Sequence, residues 1–113
     1  MHNYKIIIEY DGTNFVGWQQ QENGQSIQSA LQEALIKLSS EKVTIFGAGR
    51  TDAGVHAYGQ VASFSLSKKI ETDVIRDGLN QHLRPQPIAI QKAELVEDDF
   101  HARFSAKKRW YEY

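Results

Sequence analysis

The 113-residue sequence has no cysteine, two prolines close together at 85 and 87, and a formal net charge of only −1. Without cysteine there is no disulfide framework and no thiolate metal site, and a reducing cytosol is the expected compartment. No apolar run reaches the roughly 18 residues needed to cross a bilayer. The opening Met1-His2-Asn3-Tyr4-Lys5 lacks the pattern of a secretory leader. The near-neutral total gives no bulk signal for nucleic acid. Hydrophobic residues at 41% and charged residues at 24% are an ordinary globular balance. The length suits one small domain with a modest core, of marginal stability unless something packs against it.

The distribution of charge says more than its sum. Acidic residues gather at Glu94, Glu97, Asp98 and Asp99, and are followed by His101, Arg103, Lys107, Lys108 and Arg109. Such a basic stretch can serve as a phosphate footprint in a neutral chain; taken alone, a charge run is more often a solvated surface.

The run from Tyr4 to Tyr10 is β-branched and aromatic and predicts a buried strand, ended by the turn residues Asp11-Gly12-Thr13-Asn14. Ser26 is placed to cap a helix carrying Ile27, Ala30, Leu31, Ala34, Leu35 and Leu38 on one face and Gln28, Gln32 and Lys37 on the other. Strands are predicted at 43–46 and 60–65, flanking a glycine-rich segment at 47–54. Thr72 is the expected cap of a second helix with Val74, Ile75, Leu79 and Leu83, stopped by Pro85. A fourth strand covers 88–96, and 109–113 reads as the opening of a fifth. The order is that of a ferredoxin-like α+β fold, βαββαβ, with an antiparallel sheet and both helices on one face, as in RNA-recognition domains. There is no internal repeat. Trp110, Tyr111 and Tyr113 would end the chain on an unpaired aromatic edge strand, so the natural protein is expected to continue past Tyr113.

The segment Gly49-Arg50-Thr51-Asp52-Ala53-Gly54-Val55-His56 carries the chemistry. Small residues around Asp52 permit a tight backbone path and the approach of a ligand. In a near-extended segment Arg50 and Asp52 point the same way, and the guanidinium would favour the ionised carboxylate. That suits a nucleophile or electrostatic stabiliser better than a general acid. On chemistry alone, the commoner role of such a loop is a turn capped by Asp52 with Arg50 as ion-pair partner. An aspartic-protease loop is excluded by residue order, and Gly47, Gly49 and Gly54 form neither a Walker A nor a dinucleotide fingerprint.

The segment from Gly49 to Ala57 resembles the signature loop of the tRNA pseudouridine synthase A family. The resemblance extends to Tyr10-Asp11-Gly12-Thr13-Asn14-Phe15-Val16-Gly17-Trp18-Gln19, to Gly59-Gln60-Val61 and to Asn80. It includes the block Asp99-Phe100-His101-Ala102-Arg103-Phe104-Ser105-Ala106 and the run from Arg109 to Tyr113. It thus covers the whole chain in ordered blocks. The resemblance implies that residues 1–113 are the amino-terminal, catalytic-aspartate domain of an isomerase that converts uridine to pseudouridine at positions 38–40 of the tRNA anticodon stem-loop. Asp52 would be the essential aspartate, attacking sugar or base as a nucleophile or stabilising a sugar-derived intermediate. Tyr111 would stack on the target uracil, and Arg50 would pair with Asp52 and contact the displaced RNA, because a base in a duplex must be flipped out before chemistry. Arg103, Lys107, Lys108 and Arg109 would meet tRNA phosphates.

The resemblance further implies a cytoplasmic homodimer, no membrane, no metal and no cofactor. His56, His82 and His101 are too scattered for a metal site. Trp18 and Phe15 are assigned to packing. Relatives of this kind are about twice as long, with a second domain of similar fold that supplies a basic residue facing the aspartate. That domain is absent here, so the 113 residues alone are expected to have little or no activity. Trp110 and Glu112 stand where many relatives carry arginine. Two other readings are a non-catalytic RNA-binding module, which would need paired aromatics on the central strands, and a fragment that dimerises through its last strand.

Overall fold

Successive side chains of a strand point to opposite faces, and the opening strand, β1 (His2–Tyr10), divides on that rule. Tyr4, Ile6, Ile8 and Tyr10 are buried, whereas Lys5 and Ile7 are half-buried and Glu9 is exposed. The computed structural model describes residues 1–13, 15, 17–18, 25–48 and 57–97. Within them follow α1 (Ile27–Ser39), β2 (Phe46–Gly47), β3 (Ala57–Leu66), α2 (Thr72–Leu83) and β4 (Ile88–Val96). The strands pair antiparallel in the order β2-β3-β1-β4, which is the split βαβ arrangement of a ferredoxin-like fold. The expected further strand at 109–113 lies outside the described residues.

The helices close over the buried face of the sheet. α1 contributes Ile27, Ala30, Leu31, Ala34 and Leu35, and α2 contributes Ile75, Leu79 and Leu83. Opposite them lie the even-numbered residues of β1 together with Ala62, Phe64 and Leu66 of β3. Each fully buried Leu, Ile or Phe contributes about 1.5–3 kcal/mol of transfer free energy, set against the conformational entropy lost on folding. Ser26 caps α1 as expected. Its Oγ accepts from Ser29 N–H at 3.0 Å, and Ser26 N–H donates back to Ser29 Oγ at 3.2 Å. The last turn of α1 ends at Ser40, whose φ of 62° lets its N–H reach the Ile36 carbonyl.

Three expectations are corrected by tertiary contacts. The second strand is only Phe46–Gly47 instead of 43–46. Ile45 N–H donates to Gln32 Oε1 at 3.0 Å and Ile45 C=O accepts from Gln28 Nε2 at 2.9 Å, so its backbone pairs with α1 and not with β3. Gln28 and Gln32 are therefore structural side chains and not a solvated back. Second, α2 is capped by Glu71, without a side-chain cap bond, and Thr72 is its first residue. The buried Tyr4 hydroxyl donates to Ile70 C=O at 2.8 Å and accepts from Ile70 N–H at 2.9 Å, which fixes the entry to the helix regardless of capping preference. Third, Val74 is 47% exposed, because the buried stripe runs through Ile75, Leu79 and Leu83, one position further round the helix.

Candidate active site

One end of the sheet gathers the segments that the sequence singled out. Where β1 ends, Asp11 Oδ1 accepts from Thr13 N–H at 3.0 Å and from the Thr13 hydroxyl, a side-chain turn that reverses the chain. Asp11 N–H donates to Pro87 C=O at 3.0 Å, tying this turn to the approach of β4. The chain then passes through Gly17, whose φ of 105° favours glycine. The carbonyls of Gly17 and Trp18 accept from Ile27 N–H (3.0 Å) and Gln28 N–H (2.9 Å), so this turn satisfies two amides at the start of α1.

Trp18 is 3% exposed. Its indole lies flush on Gly47, where a Cβ would come 2.7 Å from Trp18 Cε2, and its ring centre is 6.5 Å from that of Tyr10. The packing role assigned to Trp18 and Phe15 agrees with this burial. The partner could not be read from the sequence, because Gly47 is 29 positions away and its only signal is the lack of a side chain.

Gly47 and Ala57 are the two points at which the Asp52 segment joins the sheet. Gly47 pairs with Ala62 and Ala48 N–H donates to Val61 C=O at 2.8 Å, whereas Ala57 pairs with Tyr10. Val61 and Ala57 are four residues apart on β3, about 13 Å at ~3.3 Å per residue. Residues 49–56 connect these points, so Asp52 and Arg50 themselves lie outside the described residues. The same holds for Arg103, Lys107, Lys108, Arg109 and Tyr111, and for His56 and His101.

At the Ala57 end a pocket of about 520 Å³ opens between the end of β1 and the start of β4. Glu9 and Asp11 supply carboxylates, the ring of Tyr58 and Pro87 form apolar walls, and the buried Gln86 Oε1 has no hydrogen-bond partner. Tyr58 is 83% exposed and its carbonyl is held by Gln91 Nε2 at 2.9 Å. The pocket offers acceptors for a polar N–H or O–H edge and an aromatic surface for stacking.

The sheet face away from the helices is less basic than its lysines suggest. Lys5 and Lys92 both meet Glu94, at 3.5 and 2.9 Å, and the Lys92 ammonium, with Lys5 beside it, holds that carboxyl below the usual carboxylate range. Glu94 is thus an ion-pair partner and not part of a free acidic run. Tyr4 and Phe64, paired across the two central strands, stack on each other in the core at 5.5 Å. Lys5, Ile7 and Val61 are left on the open face, so these strands do not present the stacking pair that an RNA-recognition domain uses. Among the described residues there is no group of three or more His, Asp or Glu side chains able to hold a metal ion, and no helix long and apolar enough to cross a membrane.

Asn80 is a further positioning side chain. It lies on α2 and its amide takes both backbone groups of Ile90, donating to the carbonyl at 3.1 Å and accepting from the N–H at 2.7 Å. This braces β4 where its register against β1 shifts between Ile7 and Ile8.

Comparison with known proteins agrees with this arrangement. The profile of a family described as tRNA pseudouridine synthase matches residues 6–105. The tRNA pseudouridine synthase A of Afipia carboxidovorans is 57% identical over 113 residues, covering 100% of this chain and 46% of the relative. The proteins of the same name from Ehrlichia ruminantium and Rhodopseudomonas palustris are 56% and 58% identical, over 97% and 100% of this chain and 45% and 46% of their own lengths. The chain thus spans just under half the length of these curated relatives. With the profile running from the middle of β1 past the end of β4, across the Asp52 segment and both of its attachment points, the chain belongs to the tRNA pseudouridine synthase family.

Proposed function

We propose that this chain carries the catalytic-aspartate half of a tRNA pseudouridine synthase that acts on uridines 38–40 of the anticodon stem-loop. The observation that carries the reading is the family match over residues 6–105, which spans the Asp52 segment between its anchors at Gly47 and Ala57. The reaction is an isomerisation. The bond from ribose C1′ to uracil N1 breaks and one from C1′ to C5 forms, while C5 loses a proton and N1 ends with one. Atoms and electrons balance within the substrate, so the step consumes no co-reactant.

Asp52 provides the carboxylate that attacks or stabilises the reacting nucleoside. Arg50 pairs with it and contacts the displaced RNA once the base is flipped out. Tyr111 stacks on the uracil, and Arg103, Lys107, Lys108 and Arg109 meet the phosphates. The remaining half of the relatives' length supplies a second domain with a basic group opposite Asp52, and the complete enzyme is a cytoplasmic homodimer.

The test uses tRNA carrying tritium at uridine C5, whose release reports the reaction. A hybrid is made by joining these 113 residues to the remainder of the Afipia carboxidovorans relative. The hybrid is expected to release tritium, the chain alone to release almost none, and the Asp52→Ala hybrid to release none. Continued formation of pseudouridine at 38–40 by Asp52→Ala, or turnover by the chain alone at the hybrid's rate, would overturn the assignment.

A further inference from the structure

Resting on the reading of Asp52 as the reactive carboxylate, we infer that Trp18 is a positioning residue for the reaction. It acts as the spacer that fixes both points from which the Asp52 segment is hung.

The first attachment point is set by Trp18 directly. Gly47 offers its bare Cα to the indole, and the nearest indole atoms, Cε2, Cζ2 and Nε1, stand 2.7 to 2.9 Å from where a Cβ would be. Real Cβ atoms do not approach that closely, so any side chain at 47 would displace either the ring or the strand. The second attachment point is set through Tyr10. This residue pairs with Ala57 and is itself buried against Trp18, with a ring separation of 6.5 Å and a tilt of 35°. One indole therefore touches one anchor and backs the residue that holds the other.

Trp18 is in turn held from behind. Its own carbonyl and that of Gly17 are bonded by the first amides of α1, and Gln28 and Gln32 of the same helix grip the backbone of Ile45, two residues before Gly47. The turn, the helix and the strand thus form one closed set of contacts around the indole. A packed interior transmits displacement instead of absorbing it, so moving the ring moves the two anchors from which the segment carrying Asp52 starts and ends. A shift of about 1 Å at a reacting group can cost about a hundredfold in rate.

The experiment is a size swap in the active hybrid, read as kcat and KM separately. Gly47→Ala is expected to lower kcat by about tenfold to a hundredfold with KM changed less than about twofold. Trp18→Phe, which removes the indole atoms that face Gly47, is expected to lower kcat by less. The double variant Gly47→Ala/Trp18→Phe should regain at least about tenfold over Gly47→Ala alone, because the methyl then occupies the vacated space. Leu79→Ala, in the core of α2, serves as the control for lost stability, and is expected to lower Tm at least as much while leaving kcat at 25 °C near that of the parent. A parent-like kcat for Gly47→Ala, no rescue in the double variant, or an equal kcat loss in Leu79→Ala would overturn the inference. Asp52→Ala separates the two levels. If it is inactive while Gly47→Ala is as fast as the parent, only the role of Trp18 fails; if it is active, the functional reading itself has failed.

Discussion

Replacing Asn80 by alanine isolates one structural contribution at the pocket end of the sheet. Ile90 is 3% exposed, and β4 is an edge strand of the described sheet, so its outer N–H and C=O have no neighbouring strand to pair with. The Asn80 amide supplies both bonds, at 2.7 and 3.1 Å. Removing it leaves a donor and an acceptor that water reaches poorly. Each such group costs about 1–3 kcal/mol when stranded, so the pair amounts to roughly 2–4 kcal/mol once partial hydration is allowed. A domain of this size has a total stability of roughly 6–17 kcal/mol. At about 4–5 °C per kcal/mol for a chain near 110 residues, the melting temperature should fall by about 8–20 °C. The assay is thermal unfolding of the chain followed by circular dichroism, with amide exchange at Ile90 as the local probe. Asn80→Asp keeps the acceptor for Ile90 N–H but turns a carboxylate toward the Ile90 carbonyl, so it should lie near the alanine variant and not near the parent. A melting temperature for Asn80→Ala within about 2 °C of the parent would show that β4 does not depend on this brace.

Two further stability predictions accompany those made for Asp52 and Trp18. Tyr4→Phe removes the hydroxyl that satisfies both backbone groups of Ile70; the expected loss is about 1–3 kcal/mol, seen as a fall of roughly 1 M in the urea midpoint. Glu41 accepts from Ser67 N–H, the Ser67 hydroxyl and Lys68 N–H, and the Ser67 backbone bond is the main cause that holds its carboxyl below the usual carboxylate range. A carboxyl whose folded pKa is depressed stabilises the fold above its unfolded value and loses that contribution as pH falls through the folded one. The parent should therefore melt higher than Glu41→Gln at pH 7, with the gap closing as pH drops below about 4.5 toward the folded value. A gap that is constant with pH would count against this account.

Local chemistry was enough to read much of the fold. The strand expected at 88–96 has its observed bounds, and the helix after Ser26 its observed cap, because alternation, period and capping are properties of neighbouring residues. The ferredoxin-like fold class follows from the order of elements, since short connections leave few topologies. The errors have a different origin. The expected second strand begins too early because β-branched Val43, Thr44 and Ile45 favour extension, whereas the backbone of Ile45 is taken up by glutamines from α1. Val74 reads as core in the sequence and is exposed in the structure because helical period fixes a stripe only to within one position. Residue types and spacing single out the Asp52 segment, the resemblance alone implies its role, and the family follows from ordered blocks along the chain.

The sequence by itself therefore determined most of the elements and the family, and it singled out Asp52 as the carboxylate on which the proposed function rests, since each of these is written in residues close together in the chain. Tertiary structure alone decided that Trp18 lies on Gly47, that Tyr10 holds Ala57, and that Asn80 closes the edge at Ile90. The physical reason is that each of these contacts joins residues separated by ten or more positions, and a glycine, a tyrosine or an asparagine carries no mark of its distant partner until the sheet and helices bring the two together.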